Sequence, residues 1–232
     1  MSVSAKDNEA LDHLWLPFSQ MAQFKNMESL RIVETGKGCW VTDSRGNRIF
    51  ELMSGMWLKA IGYGREEIAT AVFDAMKKIT FNPWGMTSEY TVRLSAKLAS
   101  LAPDKQSRVF LVSGGSEANE TALKMAKKYH AIRKEPGRYK IVSRRGSYHG
   151  NTHATMSLGG GGVAIPWDYG PLQPGNVYGP QPSKFRCAFC KGRNECSLEC
   201  ADEIERAIIA EGPQTVAAFI GEPISISAGV VP

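Results

Sequence analysis

Residues 108–129, RVFLVSGGSEANETALKMAKKY, decide the fold that the sequence predicts. Residues 109–112 are a short run of apolar, β-forming side chains, which predicts a buried strand. Gly114 and Gly115 follow and allow the backbone to turn sharply. A helix is expected immediately afterwards, because apolar residues then recur at helical spacing. The members of this expected buried stripe are Ala118, Ala122, Met125, Ala126 and Tyr129.

The start of this predicted helix is a candidate anion site. Ser113 or Ser116 is expected to cap the helix. The free N–H groups and positive dipole end of a helix can hold a phosphate, and glycines permit close approach. Neither a Gly-Lys-Ser/Thr continuation nor a Gly-x-Gly-x-x-Gly pattern is present, which disfavours nucleotides. Glu117 and Glu120 suit a bound phosphate poorly and are expected to point away, and a plain glycine turn explains the pattern equally well.

The composition predicts a globular chain. It has 232 residues, 43% of them hydrophobic, and a formal charge of +5. Its basic residues are scattered in small clusters, so nucleic-acid binding is not expected. The sequence has neither a run of about 18 apolar residues nor the apolar segment of a signal peptide. We therefore expect no membrane contact and a cytoplasmic location.

The order of predicted elements indicates an α/β fold. Residues 1–64 are expected to form an apolar arm and a small antiparallel β meander. Strands and helices alternate in residues 65–232, which predicts a mainly parallel sheet with helices on both faces. The predicted strands outside the opening unit are 31–33, 39–42, 48–52, 139–143 and 215–220, the predicted helices are 65–79, 88–101, 151–158 and 201–211, and residues 159–186 are expected to be almost all loop.

Three segments are expected to meet at one edge of this sheet. The turn at residues 113–116, Tyr148 and Glu222 each follow a predicted strand. Ligands of parallel α/β sheets bind at the carboxyl ends of the strands. The sequence therefore predicts that these segments converge on one pocket.

Five motifs in order resemble the class III aminotransferases, pyridoxal-phosphate enzymes of fold type I that are also called omega-transaminases. They are an early hairpin at 43–52, a Trp-containing loop ending in Gly-Tyr-Gly at 53–64, a Gly-Ser-Glu-Ala-Asn turn within 113–120, Ser-Tyr-His-Gly at 147–150 and Gly-Glu-Pro-Ile at 221–224. The resemblance spans nearly the whole chain after residue 31.

The resemblance implies roles for individual residues. It assigns cofactor binding to Gly114, Gly115, Ser116, Tyr148, His149 and Glu222, and a substrate-pocket position to Trp57. The glycine turn would hold the phosphate, and the tyrosine ring would lie on the pyridine ring. The plainer alternatives are a core tyrosine, a locally hydrogen-bonded histidine and a solvated acid at a strand end.

The resemblance also implies parts that lie beyond residue 232. These are the Asp that pairs with the pyridinium nitrogen, the Lys that forms the Schiff base, and a small C-terminal domain. None of the lysines in this chain lies in a matching motif, so we assign no catalytic residue here. We expect the chain to be the N-terminal half of an aminotransferase, inactive alone. The full-length protein is expected to be a homodimer acting on small-molecule amines and keto acids.

Four of the five cysteines form a cluster in an insertion at about residues 183–200. Cys187, Cys190, Cys196 and Cys200 have the spacing Cys-x2-Cys-x5-Cys-x3-Cys. Four thiolates at this density suit zinc or an iron–sulfur cluster, and unligated thiols or two local disulfides are the alternatives. The insertion is similar to four-cysteine insertions in a subset of the class III aminotransferases.

Two other functions remain open from the sequence. One is a pyridoxal-phosphate racemase or aminomutase of the same fold, which shares these motifs. The other is a noncatalytic regulatory protein that binds a metal or an iron–sulfur cluster on an aminotransferase-derived scaffold.

Overall fold

A computed structural model describes most of the chain. The described residues are 5–24, 30–104, 106–161, 169–183, 187–190 and 195–231, with side chains from residue 9 onward. The predicted arm, the long loop and the cysteine insertion each fall partly outside these ranges. The chain forms two compact units, residues 1–96 and 97–232. The domain boundary expected after residue 64 stays a prediction.

The helices of the described residues are α1 (Ala5–His13), α2 (Ser54–Trp57), α3 (Glu66–Lys78), α4 (Glu89–Leu101), α5 (Gly115–Ile132), α6 (His153–Ser157) and α7 (Glu199–Glu211), with short 3-10 turns at Met21–Phe24 and Pro213–Thr215. Helices α3 to α7 all overlap the predicted helices. None of the helices in the described residues is long and apolar enough to cross a membrane.

The first unit contains an antiparallel meander of three strands. These are β1 (Val33–Lys37), β2 (Trp40–Asp43) and β3 (Arg48–Phe50), with β2 in the middle. The Asp43 carboxylate accepts hydrogen bonds from the backbone N–H groups of Arg45 and Asn47, at 3.0 and 2.8 Å. Because these bonds close the turn between β2 and β3, the Asp-to-Asn segment folds as the sequence predicts.

Glycines bring the Gly-Tyr-Gly segment onto β1. Gly38 and Tyr63 exchange two backbone hydrogen bonds of 3.0 and 2.8 Å. At Gly62, where φ is +81°, a Cβ would lie 3.0 Å from the carbonyl oxygen of Gly38. At Gly64, where φ is +67°, a Cβ would lie 2.7 Å from the carbonyl oxygen of Gly36. The two glycines of the motif are therefore required by close backbone contact.

The second unit is built on a parallel sheet. Its strands are β4 (Lys140–Arg144), β5 (Asn176–Gly179) and β6 (Val216–Phe219), in the order β5-β4-β6. The central strand is the most buried, with Ile141 at 3% and Val142 at 0% exposure. Helix α7 packs on β5 and α5 packs on β6. The parallel α/β architecture and the preceding antiparallel meander are confirmed.

Three local predictions are wrong. Residues 109–112 form no strand, and Phe110 there is 66% exposed, because the described residues contain no strand that pairs with them. The predicted stripe of α5 is largely exposed, with Met125 at 52% and Tyr129 at 56%. A neighbouring face, which carries Asn119 and His130, is the one partly covered by the rest of the unit. Residues 159–186 also contain β5, which the glycines and prolines around it concealed.

Candidate functional site

The N-terminus of α5 presents unused backbone donors. Gly114 is extended, with φ −169° and ψ 178°, and the helix begins at Gly115. The first helical hydrogen bond runs from the amide of Ala118 to the carbonyl of Gly114, at 3.0 Å. The three preceding N–H groups therefore have no partner within the helix. The predicted serine cap is wrong, because the residue at the capping position is Gly114 and no side chain bonds there.

The N-terminus of α5 has open space beside Gly115 but a close neighbour beside Gly114. A Cβ at Gly115 would meet nothing within 4 Å, whereas a Cβ at Gly114 would lie 2.9 Å from a carboxylate oxygen of Glu117. Glu117 therefore folds back over the helix start and does not point away as predicted. Glu120 does turn away, since its carboxylate accepts a 2.6 Å hydrogen bond from the hydroxyl of Thr152.

Two hydrogen bonds join the start of α5 to the loop that follows β4. The backbone amide of Asn151 donates to the Ser116 hydroxyl at 3.0 Å. The side-chain amide of Asn119 donates to the carbonyl of His149 at 2.7 Å. Because the Ser116 oxygen accepts this bond, its proton remains free to donate elsewhere. The structure thus brings together two of the segments expected to converge.

Gly150 makes this contact sterically possible. Its φ is +136°, and a Cβ there would lie 2.6 Å from both the Ser116 hydroxyl oxygen and the Thr155 hydroxyl oxygen. It would also lie 3.0 Å from the Cα atom of Ser116. Only glycine allows the loop to lie this close to the helix start.

The loop residues alternate between inward and outward positions. Ser147 is 1% exposed and His149 is 6% exposed, whereas Tyr148 between them is 38% exposed. The tyrosine side chain is consequently available to a ligand, and its two neighbours anchor the loop.

His149 is buried with an unsatisfied ring nitrogen. Its Nε2 atom has no hydrogen-bond partner among the described residues. Burial lowers the pKa of His149, the carboxylate of Glu222 raises it in partial compensation, and the guanidinium of Arg144 lowers it. Because the pKa lies below its ordinary value of 6.5, the imidazole is neutral at pH 7. A neutral, unpartnered imidazole can donate or accept one hydrogen bond from a ligand.

Glu222 follows β6 and is held at two points. The hydroxyl of Ser225 donates to its carboxylate at 3.0 Å, and the guanidinium of Arg144 donates to its backbone carbonyl at 2.7 Å. Because Arg144 ends β4, its hydrogen bond to Glu222 places the third segment beside the second. One edge of the sheet therefore carries three segments: the start of α5, the loop that follows β4 and the segment that follows β6.

Gln181, just after β5, is a member of this group that the sequence did not reveal. Its side-chain amide donates to the hydroxyl of Ser147 at 2.9 Å and to the hydroxyl of Ser225 at 3.3 Å. Its carbonyl oxygen is buried and has no partner among the described residues. The strand β5 that precedes it is the signal for such a position, and glycines and prolines on either side conceal that strand in the sequence.

Trp57 lies in the first unit, in a left-handed turn. Residues 54–57 have φ values of +51°, +57°, +60° and +69° in succession, although only one of them is glycine. The Glu51 carboxylate holds this turn by accepting hydrogen bonds of 2.8 Å from the amides of Met53 and Gly55. It also accepts one of 3.3 Å from the hydroxyl of Tyr63. The Trp57 side chain is 60% exposed within its unit.

The five cysteines all lie in the described part of the chain, and none of them forms a disulfide bond there. The backbone amide of Cys190 donates to the sulfur of Cys187 at 3.2 Å. Burial raises the pKa of Cys200, and the nearby Cys187 and Cys196 raise it further. Within the described ranges, no three His, Cys, Asp or Glu side chains are grouped closely enough to hold a metal ion. The predicted zinc or iron–sulfur site is thus not supported by this geometry.

Comparison with known proteins places the fold in one class. The fold matches solved aminotransferase structures of fold type I. An (S)-enantioselective omega-transaminase from Thermomicrobium roseum has a TM-score of 0.88 at 34% identity, over 100% of this chain and 52% of that chain. The omega transaminase from Pseudomonas jessenii in complex with PMP has a TM-score of 0.88 at 31% identity, over 98% and 51%.

The sequence comparison then fixes the family. The family described as Aminotransferase class-III matches residues 21–232, and the chain belongs to this family. It is similar to the putrescine–pyruvate aminotransferase of Pseudomonas aeruginosa, with 35% identity over 222 residues, covering 95% of this chain and 48% of that protein. It is also similar to the beta-alanine–pyruvate aminotransferase of the same organism, with 32% identity over 228 residues, covering 94% and 48%. The chain spans about half the length of these relatives.

Proposed function

We propose that this chain is the half of a class III aminotransferase that holds the phosphate and ring of pyridoxal phosphate. The complete protein would move an amino group from an amine or amino acid to a keto acid. One observation carries the proposal. The open N-terminus of α5 is tied by Ser116 and Asn119 to the loop that presents Tyr148, at the carboxyl edge of a parallel sheet.

The residues present fit the phosphate and ring of this cofactor. The phosphate would meet the amides of Gly115 and Ser116 at a helix N-terminus with open space at Gly115. The hydroxyl proton of Ser116 is free to donate. The unpartnered Nε2 atom of His149 shows that the buried side of the site still lacks one polar contact. Glu117 is the one unfavourable group, and its carboxylate would have to turn from Gly114 to admit a dianion.

Each residue then has a defined task. The amides of Gly114, Gly115 and Ser116 would bind the phosphate, and the Tyr148 ring would fix the tilt of the pyridine ring. Neutral His149 and Glu222 would orient polar groups at the buried edge. Bound pyridoxal phosphate supplies the electron sink for amino-group transfer. Trp57 is proposed to limit the size of the substrate.

Pyridoxamine phosphate provides a clean binding test. It carries an amine in place of the aldehyde and therefore forms no Schiff base with surface lysines. We expect the 232-residue chain to bind it and to bind pyridoxamine, which lacks the phosphate, far more weakly. Fluorescence titration of Ser116→Ala should show about a 10-fold to 100-fold loss, since a hydrogen bond to a charged group contributes about 1.5–3 kcal/mol.

The control for this titration is Ser100→Ala, which removes an exposed hydroxyl on α4 that donates to the carbonyl of Lys97, its one hydrogen bond within the described residues. Equal affinities for pyridoxamine phosphate and pyridoxamine would contradict the phosphate site. Equal losses in the two serine variants would do so too.

Substrates and assembly are further parts of the proposal. The relatives named for putrescine, beta-alanine and pyruvate support a primary amine or ω-amino acid as donor and a keto acid as acceptor. A transaminase converts an added keto acid into the corresponding amino acid, and detection of that amino acid separates this activity from a racemase or aminomutase. We propose that the chain alone is inactive, and measurable transaminase turnover by it would contradict this.

A homodimer is proposed for the complete protein. Each compact unit exposes apolar side chains, such as Val72 on α3 in the first and Met125 on α5 in the second, each 52% exposed, which supports burial of these helices on assembly. Light scattering of the complete protein over a range of concentrations tests the proposal, and a monomer throughout contradicts it.

Metal binding by the cysteine cluster is a second, weaker candidate. The hydrogen bond from the Cys190 amide to the Cys187 sulfur is of the kind that stabilises thiolate ligands. Elemental analysis of protein purified without oxygen is the test. Stoichiometric zinc or iron lost in Cys190→Ser and retained in Cys39→Ser would support it. Bound metal together with failure to bind pyridoxamine phosphate would favour the noncatalytic alternative.

A further inference from the structure

A buried hydrogen-bond network links the ends of all three parallel strands. Ser147 lies after β4, Gln181 after β5 and Ser225 after β6. Ser147 is 1% exposed and Ser225 is 0% exposed, so both hydroxyl groups are shielded from solvent. The Gln181 amide bonds to both of them. The Gln181 side chain therefore joins the segments that follow all three strands.

The direction of each hydrogen bond in this network is determined by Glu222. A carboxylate only accepts, so the hydroxyl of Ser225 donates to it, at 3.0 Å. The Ser225 oxygen can then accept from the Gln181 amide nitrogen, which is 3.3 Å away. The second proton of that nitrogen is directed to the Ser147 oxygen, at 2.9 Å. The amide orientation of Gln181 is consequently fixed by the charge on Glu222.

We propose that Gln181 is a positioning residue. Through Ser225 it fixes the carboxylate of Glu222 beside His149, and through Ser147 it fixes the loop that presents Tyr148. The inference rests on the proposed function only where it concerns the cofactor. The network itself is a property of this chain.

The competing explanation is that the network only stabilises the fold, and a set of variants separates the two. Gln181→Leu leaves the oxygens of two buried serines without their donor. A triple variant that adds Ser147→Ala and Ser225→Ala removes those polar groups as well. Since leaving a buried polar group unsatisfied costs more than removing it, the triple variant should be more stable than Gln181→Leu. It does not recover the contact that holds Glu222.

The pKa of His149 reports whether the Glu222 carboxylate lies beside it. Glu222→Gln should lower the pKa of His149 further, because the carboxylate raises it. NMR titration of the imidazole measures the change in the His149 pKa that Glu222→Gln causes, in the wild type and in each network variant. The His149→Gln variant assigns the signal. We expect this change in the His149 pKa to be smaller in Gln181→Leu and in the triple variant. In these variants the Glu222 carboxylate is no longer held beside His149 and turns towards water. Gln214→Leu, at an exposed glutamine before β6, should keep the full shift.

Binding of pyridoxamine phosphate is the second measurement. The loss of one neutral hydrogen bond predicts about a fivefold weaker affinity in both network variants. A triple variant with normal stability, an unchanged His149 shift and unchanged affinity would overturn the proposal. If the shift shrinks but the wild type binds no pyridoxamine phosphate, Gln181 still positions Glu222 and only the proposed function fails.

Discussion

Substitution of Gly150 by alanine tests the contact between the helix start and the Tyr148 loop. At φ +136°, a non-glycine residue costs about 1–3 kcal/mol. The new Cβ would also lie 2.6 Å from two hydroxyl oxygens and 3.0 Å from the Cα atom of Ser116, so backbone must move. Overpacking of this kind costs about a further 1–3 kcal/mol. Gly150→Ala should therefore lower the free energy of unfolding by about 2–6 kcal/mol.

Gly146 supplies the matched control. Its φ of +81° imposes a similar backbone cost, but a Cβ there meets nothing within 4 Å. The difference between the two variants isolates the steric term, about 1–3 kcal/mol, or roughly 1 M in the urea midpoint. Pyridoxamine phosphate should also bind at least about tenfold more weakly to Gly150→Ala, because Ser116 is displaced. Equal midpoints and equal affinities in the two variants would refute the reasoning.

Three further predictions concern individual ionisable groups. Asp43→Asn should destabilise the protein near neutral pH, and its effect should fade on acidification, because hydrogen bonds from Asn47 and Arg45 hold the pKa of Asp43 below 3.8. The contribution of ionised Asp43 to the free energy of unfolding is fully present above the ordinary pKa of 3.8 and is lost as the pH falls through the lowered pKa of the folded state. A pH-independent effect of the substitution in urea denaturation would contradict this. Burial and, after it, the Glu51 carboxylate raise the pKa of Tyr63, so Glu51→Gln should bring that pKa part of the way back towards 10.0. Ultraviolet titration measures it, with Tyr63→Phe identifying the signal, and an unchanged titration would exclude the contact. Cys200 should be alkylated more slowly than exposed Cys39, because burial raises the pKa of Cys200, and mass spectrometry showing equal rates would count against this.

The sequence predicts those elements whose stability is local. Helix α3 is found at Glu66–Lys78 because acidic residues occupy its first turn and apolar residues recur at helical spacing. The central strand β4 lies at Lys140–Arg144, close to the predicted 139–143, and its three middle residues are buried, as in a strand covered on both faces. The predicted strand at 109–112 is more apolar than β4 and still does not form, because a strand also requires a partner for its backbone groups and the described residues contain none that pairs with it.

The site was predictable where a motif carries the chemistry. The order of the glycine turn, the Tyr148 loop and Glu222 along the chain was sufficient to expect that they converge. Gln181 could not be found in this way, because its role depends on two serines that are distant in sequence and on a strand hidden among glycines and prolines. The burial of His149 likewise follows from packing and not from its neighbours in sequence.

The left-handed turn at residues 54–57 restricts which side chains the protein can accept at position 57. Left-handed backbone costs roughly 1–2 kcal/mol for each residue other than glycine, and three such residues occupy this turn. β-Branched side chains fit this backbone worst. A substitution library at Trp57 is therefore filtered by the backbone before any substrate is present. Valine and isoleucine would be lost from it for conformational reasons, whereas glycine and asparagine would be retained whatever their effect on substrate size.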